Sequence, residues 1–561
     1  MPANTYDAIV VGSGMSGGWA AKELAERGLR TIVLEAGRNI DPAVDYLEHR
    51  PVYEFKFRGL GDRKHEQTRQ FIQSQCGPYE EETRHFFVDD VDNPYTFDPA
   101  TPFLWIRGRH LGGRSLMWGR QTYRLSELDL EANAREGVGV DWPIRYADIA
   151  PWYDYAEEYI GVSGDALGLA HLPDGRFLPP MELNCAERLV RDRLAAHFKG
   201  ERMLTIGRCA ILTRQHRGRA ACHYCGPCWR GCTTRSYFNA IHVTLPAARA
   251  TRRCTIRPNS VVHSVMFDER TRRATGVRVV DAVTMQPLEF RAKLVFLCAS
   301  ALESARILLN SPTRSFPTGL ANSSGQVGRN LMDHIMGGGA TGRIPGMEDH
   351  ETFGQRPNGI YVPRFRNIRA RHPDFLRGYG FQGGGWREGW GRGANEPGFG
   401  AAFKHRLRSL GPWHFTFYGF GECLPRAENY VELDPTVKDK WGVPALRIHA
   451  TWSDNEIRMR NDMSVAAAEM LEAVGATGIE PFVEENQPGS SIHEMGTARM
   501  GRDPGSSVLN GYCQAHDVKN LFMTDGACMT SSACQNPSIT YMALTARAAA
   551  YAVEQSKRGE L

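Results

Sequence analysis

The chain has 561 residues, of which 42% are hydrophobic and 23% charged, and carries a formal net charge of +4. A chain of this length buries more than one core, its composition is that of a loop-rich folded protein, and so small a charge leaves no nucleic-acid footprint. No run is long and apolar enough to span a bilayer, and 13 cysteines, four of them clustered, match a disulfide-stapled secreted domain poorly.

The first residues, MPANTYDAIVVGSG, lack the cationic leader, apolar segment and cleavage site of a signal peptide, so export would need a carrier. The run Ala8-Ile9-Val10-Val11 predicts a buried parallel strand. Gly12, Gly14 and Gly17 follow as Gly-x-Gly-x-x-Gly, then a helix with Trp19, Ala20, Leu24 and Ala25 on one side, closed by Gly28. A second strand, TIVLE, ends at Glu35. One glycine makes the tight turn, another admits a pyrophosphate at the helix N-terminus, and the third lets helix pack on strand. An acid about twenty residues on bonds an unphosphorylated ribose, so Glu35 points to FAD or NAD.

In the middle of the chain, CHYCGPCWRGC places Cys222, Cys225, Cys228 and Cys232 as Cys-x2-Cys-x2-Cys-x3-Cys. Disulfides between such close neighbours are strained, and zinc pairs come separated by a longer loop. The spacing is that of bacterial ferredoxin loops, with Thr233 where those have proline, and favours iron–sulfur over zinc. Cluster nuclearity stays open between [3Fe-4S] and [4Fe-4S].

Beyond residue 336, HFTFYGFGE, NYVELDP and PALRIHATW alternate or run aromatic and β-branched, predicting antiparallel strands that wall a substrate pocket. The basic stretch 364–377 reads as a solvated loop. The Gly-rich stretch 381–400 reads as a flexible loop, whose Trp386 and Trp390 have faces suited to stacking on a sugar ring. Near the C-terminus, NLFMTDG predicts a buried strand ending at Asp525-Gly526, and PSITYMALTARAAAYAV a helix with Pro537 in its first turn and Asn536 at or just before the cap. Strand, loop and helix at both ends predict an α/β fold with a doubly wound sheet closed by both termini.

These residues resemble the glucose–methanol–choline (GMC) oxidoreductases. The resemblance is carried in order by GSGMSGG…LEAG, RGRHLGGRSLMWG (107–119), DWPIRYADIAPWYDYAEEYIG (141–161), LVFLCASALESARILLNS (294–311), GQVGRNLMDH (325–334) and HEMGTARMG…DG…QNPSITYMALTARAA. It implies a Rossmann-like FAD-binding domain over 1–160, 195–335 and 490–561, an α+β substrate domain on an antiparallel sheet over 336–489, and an iron–sulfur insertion over 209–240. It implies oxidation of an alcohol by hydride transfer to flavin, with His493 and Asn536 as the catalytic pair. A neutral imidazole suits removal of the hydroxyl proton, and an amide can orient the substrate oxygen. Asp333, His334 and His516 lack such support and read as structural.

The resemblance also places FAD contacts on Gly12, Gly14, Gly17, Glu35, Ala36, Arg107, Gly112, Gly113, Ser115, Met117, Trp118, Val262, Asp525, Gly526 and Pro537. Met117 stands where some relatives bear a flavin-linking His, so non-covalent FAD is expected. The His/Asn pairing and the TARMG wording are similar to the pyranose oxidase side of the family. Sugar dehydrogenases with a [3Fe-4S] cluster use Cys-x5-Cys-x3-Cys, the spacing of Cys222, Cys228 and Cys232. The resemblance therefore implies a glucoside 3-dehydrogenase type of enzyme, oxidising a sugar or glycoside ring hydroxyl at C3. Its electrons would leave through the cluster to a protein acceptor. Partners so implied are a small subunit with an export signal and a cytochrome c, giving a periplasmic location by carriage, with a cytoplasmic one as the alternative. The rival expectation is a GMC oxidase or dehydrogenase whose cysteine cluster is structural.

Overall fold

The computed structural model describes residues 4–561. Two sheets organise them, each with its own core. In the first, Thr5–Val11 lies between Thr31–Leu34 and Pro287–Leu297 and runs parallel to both. Cys254–Arg257 extends the sheet beyond Thr31–Leu34, and Leu521–Met523 pairs with the C-terminal end of Pro287–Leu297, again in parallel. These strands are continuously apolar because both faces are covered: Ala8, Ile9, Val10 and Val295–Leu297 are fully buried. The helices Met15–Glu26, Tyr146–Ile160 and Ser538–Lys557 pack on one another beside the sheet. The antiparallel pair Ser260–Asp268 and Arg273–Asp281 attaches to the N-terminal half of Pro287–Leu297.

The second sheet is antiparallel, in the order Thr477–Val483, Ile335–Ile344, Trp413–Gly421, Tyr379–Arg387, Ile360–Val362, Thr205–Ile206. The helix Asp454–Ala473, started by a capping box between Ser453 and Glu456, lays Met459, Met463, Ala466, Ala467 and Met470 across one face. The period-2 alternation of Trp413–Gly421 explains the rest. Trp413, Phe415 and Phe417 enter this core, which turns Tyr418 and Phe420 toward a cavity.

Three departures from expectation have physical causes. First, Val190 and Leu194 of the helix Cys185–His197, together with Leu204 and Ile206, are buried in the second core, so part of the stretch assigned to the FAD domain from residue 195 serves the other sheet. Second, Tyr430–Lys438 and Pro444–His449 do pair, but in a separate sheet with Thr96–Phe97. Arg306 holds that hairpin to the first domain, donating to the carbonyls of Pro444 and Val443 and pairing with Asp439 at 2.8 Å. Third, the start of the Gly-rich stretch is strand, Tyr379–Arg387, and not loop. Its glycines are there for close approach: a Cβ on Gly383 would lie 2.0 Å from the Thr416 carbonyl oxygen.

Candidate active site

A cavity of about 970 Å³ is walled by the carboxyl ends of the parallel strands on one side and by the Tyr418/Phe420 face of the antiparallel sheet on the other. At its first-domain end, Gly12 takes φ +90°, and a side chain there would strike the Cys298 carbonyl oxygen at 2.4 Å. Gly14 caps the helix Met15–Glu26 without a side-chain hydrogen bond, so the first-turn N–H groups remain free for an anion. The buried Glu35 carboxylate accepts from Ser13 Oγ at 2.5 Å and Gly37 N at 2.9 Å. Burial pushes its pKa up, and these hydrogen bonds oppose the rise.

Further along the wall lie Ala36, Arg107, Gly113, Ser115, Met117, Trp118, Val262, Asp525, Gly526 and Pro537. Gly17 and Gly112 stand behind it. A Cβ on Gly17 would sit 2.1 Å from the Gly12 carbonyl oxygen, so this glycine seats the helix on the turn. Gly112, at φ +84°, donates its N–H to Ser13 Oγ at 2.9 Å. Asp525 is fully buried and accepts from Ser304 Oγ at 2.5 Å and Ser300 N at 3.0 Å, and burial lifts its pKa to about 6. Among the buried polar atoms of the cavity lining that have no partner within the chain are Arg107 Nε, Arg109 Nε and the Tyr541 hydroxyl. A glycine cradle, a ribose acceptor at Glu35 and these waiting donors fit FAD. Met117, at the position where the sequence would bear a flavin-linking residue, lines the cavity.

His493 and Asn536 meet at the far end. His493 Nε2 lies 3.4 Å from Asn536 Nδ2, while Asn536 Oδ1 accepts from Gln382 Nε2 at 2.7 Å. Gln382 thereby fixes which end of the amide faces the imidazole. On the other side, His493 Nδ1 lies 2.9 Å from His334 Nδ1, and His334 Nε2 faces the Ser532 carbonyl oxygen at 3.4 Å. A carbonyl only accepts, so His334 carries its proton on Nε2 and presents a lone pair on Nδ1. His493 must then donate from Nδ1, which leaves its Nε2 lone pair open toward Asn536 and the cavity. Burial drives the His493 pKa well below the usual range, and His334 and Arg114 add to the effect, so the ring is neutral.

Backbone placement of His493 depends on Asp333, whose carboxylate accepts from the N–H groups of Gly489 (2.8 Å), Ser491 (3.2 Å) and His493 (3.1 Å) and from the Ser491 hydroxyl. This fence holds Ile492 at φ +63°, a conformation that a β-branched residue rarely adopts. Sequence reasoning set Asp333 and His334 aside as structural and did not find Gln382. The signal for the first two was their place in GQVGRNLMDH, directly before the strand Ile335–Ile344. Trp386 and Trp390 are not on the cavity wall. Trp386 stacks instead on His414, with centroids 4.6 Å apart.

None of the four clustered cysteines forms a disulfide: Cys225 is exposed and Cys222, Cys228 and Cys232 are half-buried. Cys222 Sγ accepts from Tyr224 N at 3.4 Å and Cys232 Sγ from Ser236 N at 3.3 Å, bonds of the kind that stabilise metal-bound thiolates. Among the described residues no group of three or more His, Cys, Asp or Glu side chains is placed to hold a metal ion, so the loop is not drawn around a single ion. It is pinned beside the cavity by Leu47 N, which donates to the Arg230 carbonyl at 2.8 Å, and by Gly231, where a Cβ would lie 2.3 Å from the Tyr46 ring. Trp229, between Cys228 and Arg230, reaches the cavity wall.

A dinucleotide cradle, a neutral imidazole and an amide converging on one cavity define a flavin-dependent oxidoreductase. The chain belongs to the GMC oxidoreductase family, whose N-terminal sequence profile matches residues 6–336 and whose C-terminal profile matches 425–545. It is 30% identical to the 2-methyl-1,2-propanediol dehydrogenase of Mycolicibacterium austroafricanum, over 98% of this chain and 95% of that protein. It is 25% identical to the fructose dehydrogenase large subunit of Gluconobacter japonicus, over 99% and 98% respectively. Over 133 residues, 23% of this chain and 25% of the relative, it is 40% identical to the C-glycoside 3-oxidase of Arthrobacter globiformis. Among solved structures, pyridoxine 4-oxidase from Mesorbium loti superposes with a TM-score of 0.60 at 18% identity, covering 97% and 98% of the two chains.

Proposed function

We propose that this enzyme oxidises a ring hydroxyl of a sugar or glycoside, at C3, and delivers the electrons through an iron–sulfur cluster on the cysteine loop to a protein acceptor. The observation that carries the oxidation is the His493 Nε2 lone pair, held open beside the Asn536 amide in the cavity. The substrate hydroxyl gives its proton to Nε2, and Asn536 Nδ2 donates to the same oxygen and fixes its direction. FAD, which the Gly12–Gly14 turn and Glu35 would hold, would supply the acceptor for the hydride of the carbinol carbon. Gln382, Tyr418, Asn358 and Asn486 make this end of the cavity polar, which suits a polyhydroxylated ring better than a simple apolar alcohol. The sugar names of two relatives and the C3 chemistry of one support the same reading.

For the electron route, support comes from the backbone N–H groups aimed at Cys222 and Cys232 and from Trp229, which touches both loop and cavity. In this reading a small subunit with an export signal and a cytochrome c complete the assembly and place it in the periplasm. Similarity to a protein named as a large subunit agrees with such an assembly. A second reading, an oxidase or dehydrogenase with a structural cysteine cluster, is favoured by the lack of a preformed ion site among the described residues.

Anaerobic addition of a pyranose, followed optically and by EPR with iron and sulfide assayed, separates them. Flavin bleaching with an iron–sulfur signal that changes on reduction is the expected result. Bleaching in an iron-free protein would establish the second reading. His493→Ala should lose turnover by roughly 10²–10⁴-fold while retaining FAD, and unaltered turnover would overturn the base assignment.

A further inference from the structure

The polar groups that run from Ser532 to the cavity form one row in which each hydrogen bond has a fixed direction. The Ser532 carbonyl accepts from His334 Nε2 at 3.4 Å, and His334 Nδ1 accepts from His493 Nδ1 at 2.9 Å. His493 Nε2 then accepts from Asn536 Nδ2 at 3.4 Å, and Asn536 Oδ1 from Gln382 Nε2 at 2.7 Å. A carbonyl has no proton to give, so it sets the sense of every bond along the row. The row ends at Gln382, on the cavity wall, with its Oε1 left as an acceptor. Among the described residues nothing donates to that oxygen. Tyr418 stands opposite Gln382 across the two strands and shares the cavity wall, but its hydroxyl donates to Glu484 Oε2 at 3.1 Å. The amide of Asn486 is spent in turn on the Tyr418 oxygen, at 3.3 Å, and that of Asn358 on the Gly207 carbonyl, at 2.7 Å.

We infer that Gln382 Oε1 receives a second hydroxyl of the substrate, on a carbon next to the one oxidised, so that the site selects vicinal diols. The inference rests on the oxidation proposed above and names what the substrate must carry beside its reacting hydroxyl. It does not involve the cysteine loop. The two oxygens are treated in opposite ways. The reacting hydroxyl gives its proton to His493 Nε2 and accepts from Asn536 Nδ2, whereas its neighbour donates a hydrogen bond to Gln382 Oε1 and keeps its proton. The two amides are in direct contact, which brings the Asn536 donor and the Gln382 acceptor within reach of oxygens on adjoining carbons. That contact also makes them one unit, so pairing of the second hydroxyl bears on the donor that orients the first. An acceptor that a bound ligand dries and leaves unpaired weakens binding, so a methylene or an ether at the neighbouring carbon is rejected. A pyranose carbinol flanked by hydroxyls meets the requirement, and a simple secondary alcohol does not.

The test is anaerobic stopped-flow flavin reduction in the FAD-loaded enzyme by methyl β-D-glucopyranoside, with the oxidised carbon read from the product by NMR. Its monodeoxy and mono-O-methyl derivatives at the two flanking carbons are then compared with it. At one flanking carbon, loss of the hydroxyl should lower kcat/KM for flavin reduction by about tenfold. The O-methyl ether there, which accepts but cannot donate, should do no better. Gln382→Leu should slow every substrate, through Asn536, and erase the difference between parent and deoxy sugar. Gln382→Glu keeps an acceptor and should keep that difference while slowing turnover. A Gln382→Leu enzyme that retains FAD and still discriminates overturns the assignment to Gln382. Equal rates for the parent and both deoxy sugars in the wild type overturn the proposal alone, whether or not the variants fold. So does an O-methyl derivative that restores the rate lost in the deoxy sugar, because a donor would then be reading that position. If neither this glycoside nor D-glucose reduces the flavin, the proposed oxidation falls, and this proposal with it.

Discussion

Removing the imidazole of His334 tests the proton bookkeeping of the site. In His334→Leu, the His493 Nδ1–H loses its acceptor in a buried position, and nothing then holds the proton away from Nε2. An unsatisfied buried donor is worth ~1–3 kcal/mol. Taking about 2 kcal/mol as the preference lost, flavin reduction should slow by about 30-fold. His334→Gln provides the control: its Oε1 can accept from His493 Nδ1 while its Nε2 donates to the Ser532 carbonyl, so it should recover most of the rate. The assay is anaerobic stopped-flow flavin reduction by a pyranose with hydrogen or deuterium at the reacting carbon. FAD content and thermal midpoint report folding. Wild-type rates in His334→Leu, or equal losses in the Leu and Gln variants, would refute the argument.

The remaining expectations follow from the same geometry. Burial and the neighbouring His334 and Arg114 hold the His493 pKa far below the usual ~6.5, and the base works unprotonated, so kcat/KM for flavin reduction should stay level as pH falls through 6.5. A pH–rate profile with its acid limb at or above 6.5 would contradict this. Gly17→Ala forces a Cβ to 2.1 Å from the Gly12 carbonyl oxygen and should lower apoprotein stability by about 1–3 kcal/mol, read as the melting temperature. Gly14→Ala meets nothing nearer than 3.9 Å and should melt like wild type while binding FAD more weakly in a fluorescence titration. Cys228→Ser should spare flavin reduction by sugar and stop reduction of cytochrome c, and loss of both together would indicate a folding role for the loop.

The first domain and its cradle were legible in the sequence because their determinants are local. A strand, a turn with Gly12 and Gly14, a helix and Glu35 follow one another within some thirty residues, and each residue type answers a steric or electrostatic need of its own segment. His493, Asn536 and the cysteine spacing were legible for the same reason, as motifs carried within short runs. What joins them was not, because it depends on residues remote in sequence meeting across two sheets. Gln382 fixes the Asn536 amide from 154 positions away, and His334 fixes the His493 tautomer from 159. Arg120 comes over Trp229 only because the cysteine loop folds back beside the cavity. The glycines at 383–385 read as loop by composition, and only the packed structure shows why a side chain has no room: Thr416 of the partner strand crowds Gly383, while Glu187, and Asn184 with Ala186, crowd Gly384 and Gly385. Residue chemistry is written along the chain, whereas proton position, charge compensation and close backbone approach are set by distances in space, and those exist only once the two cores have packed.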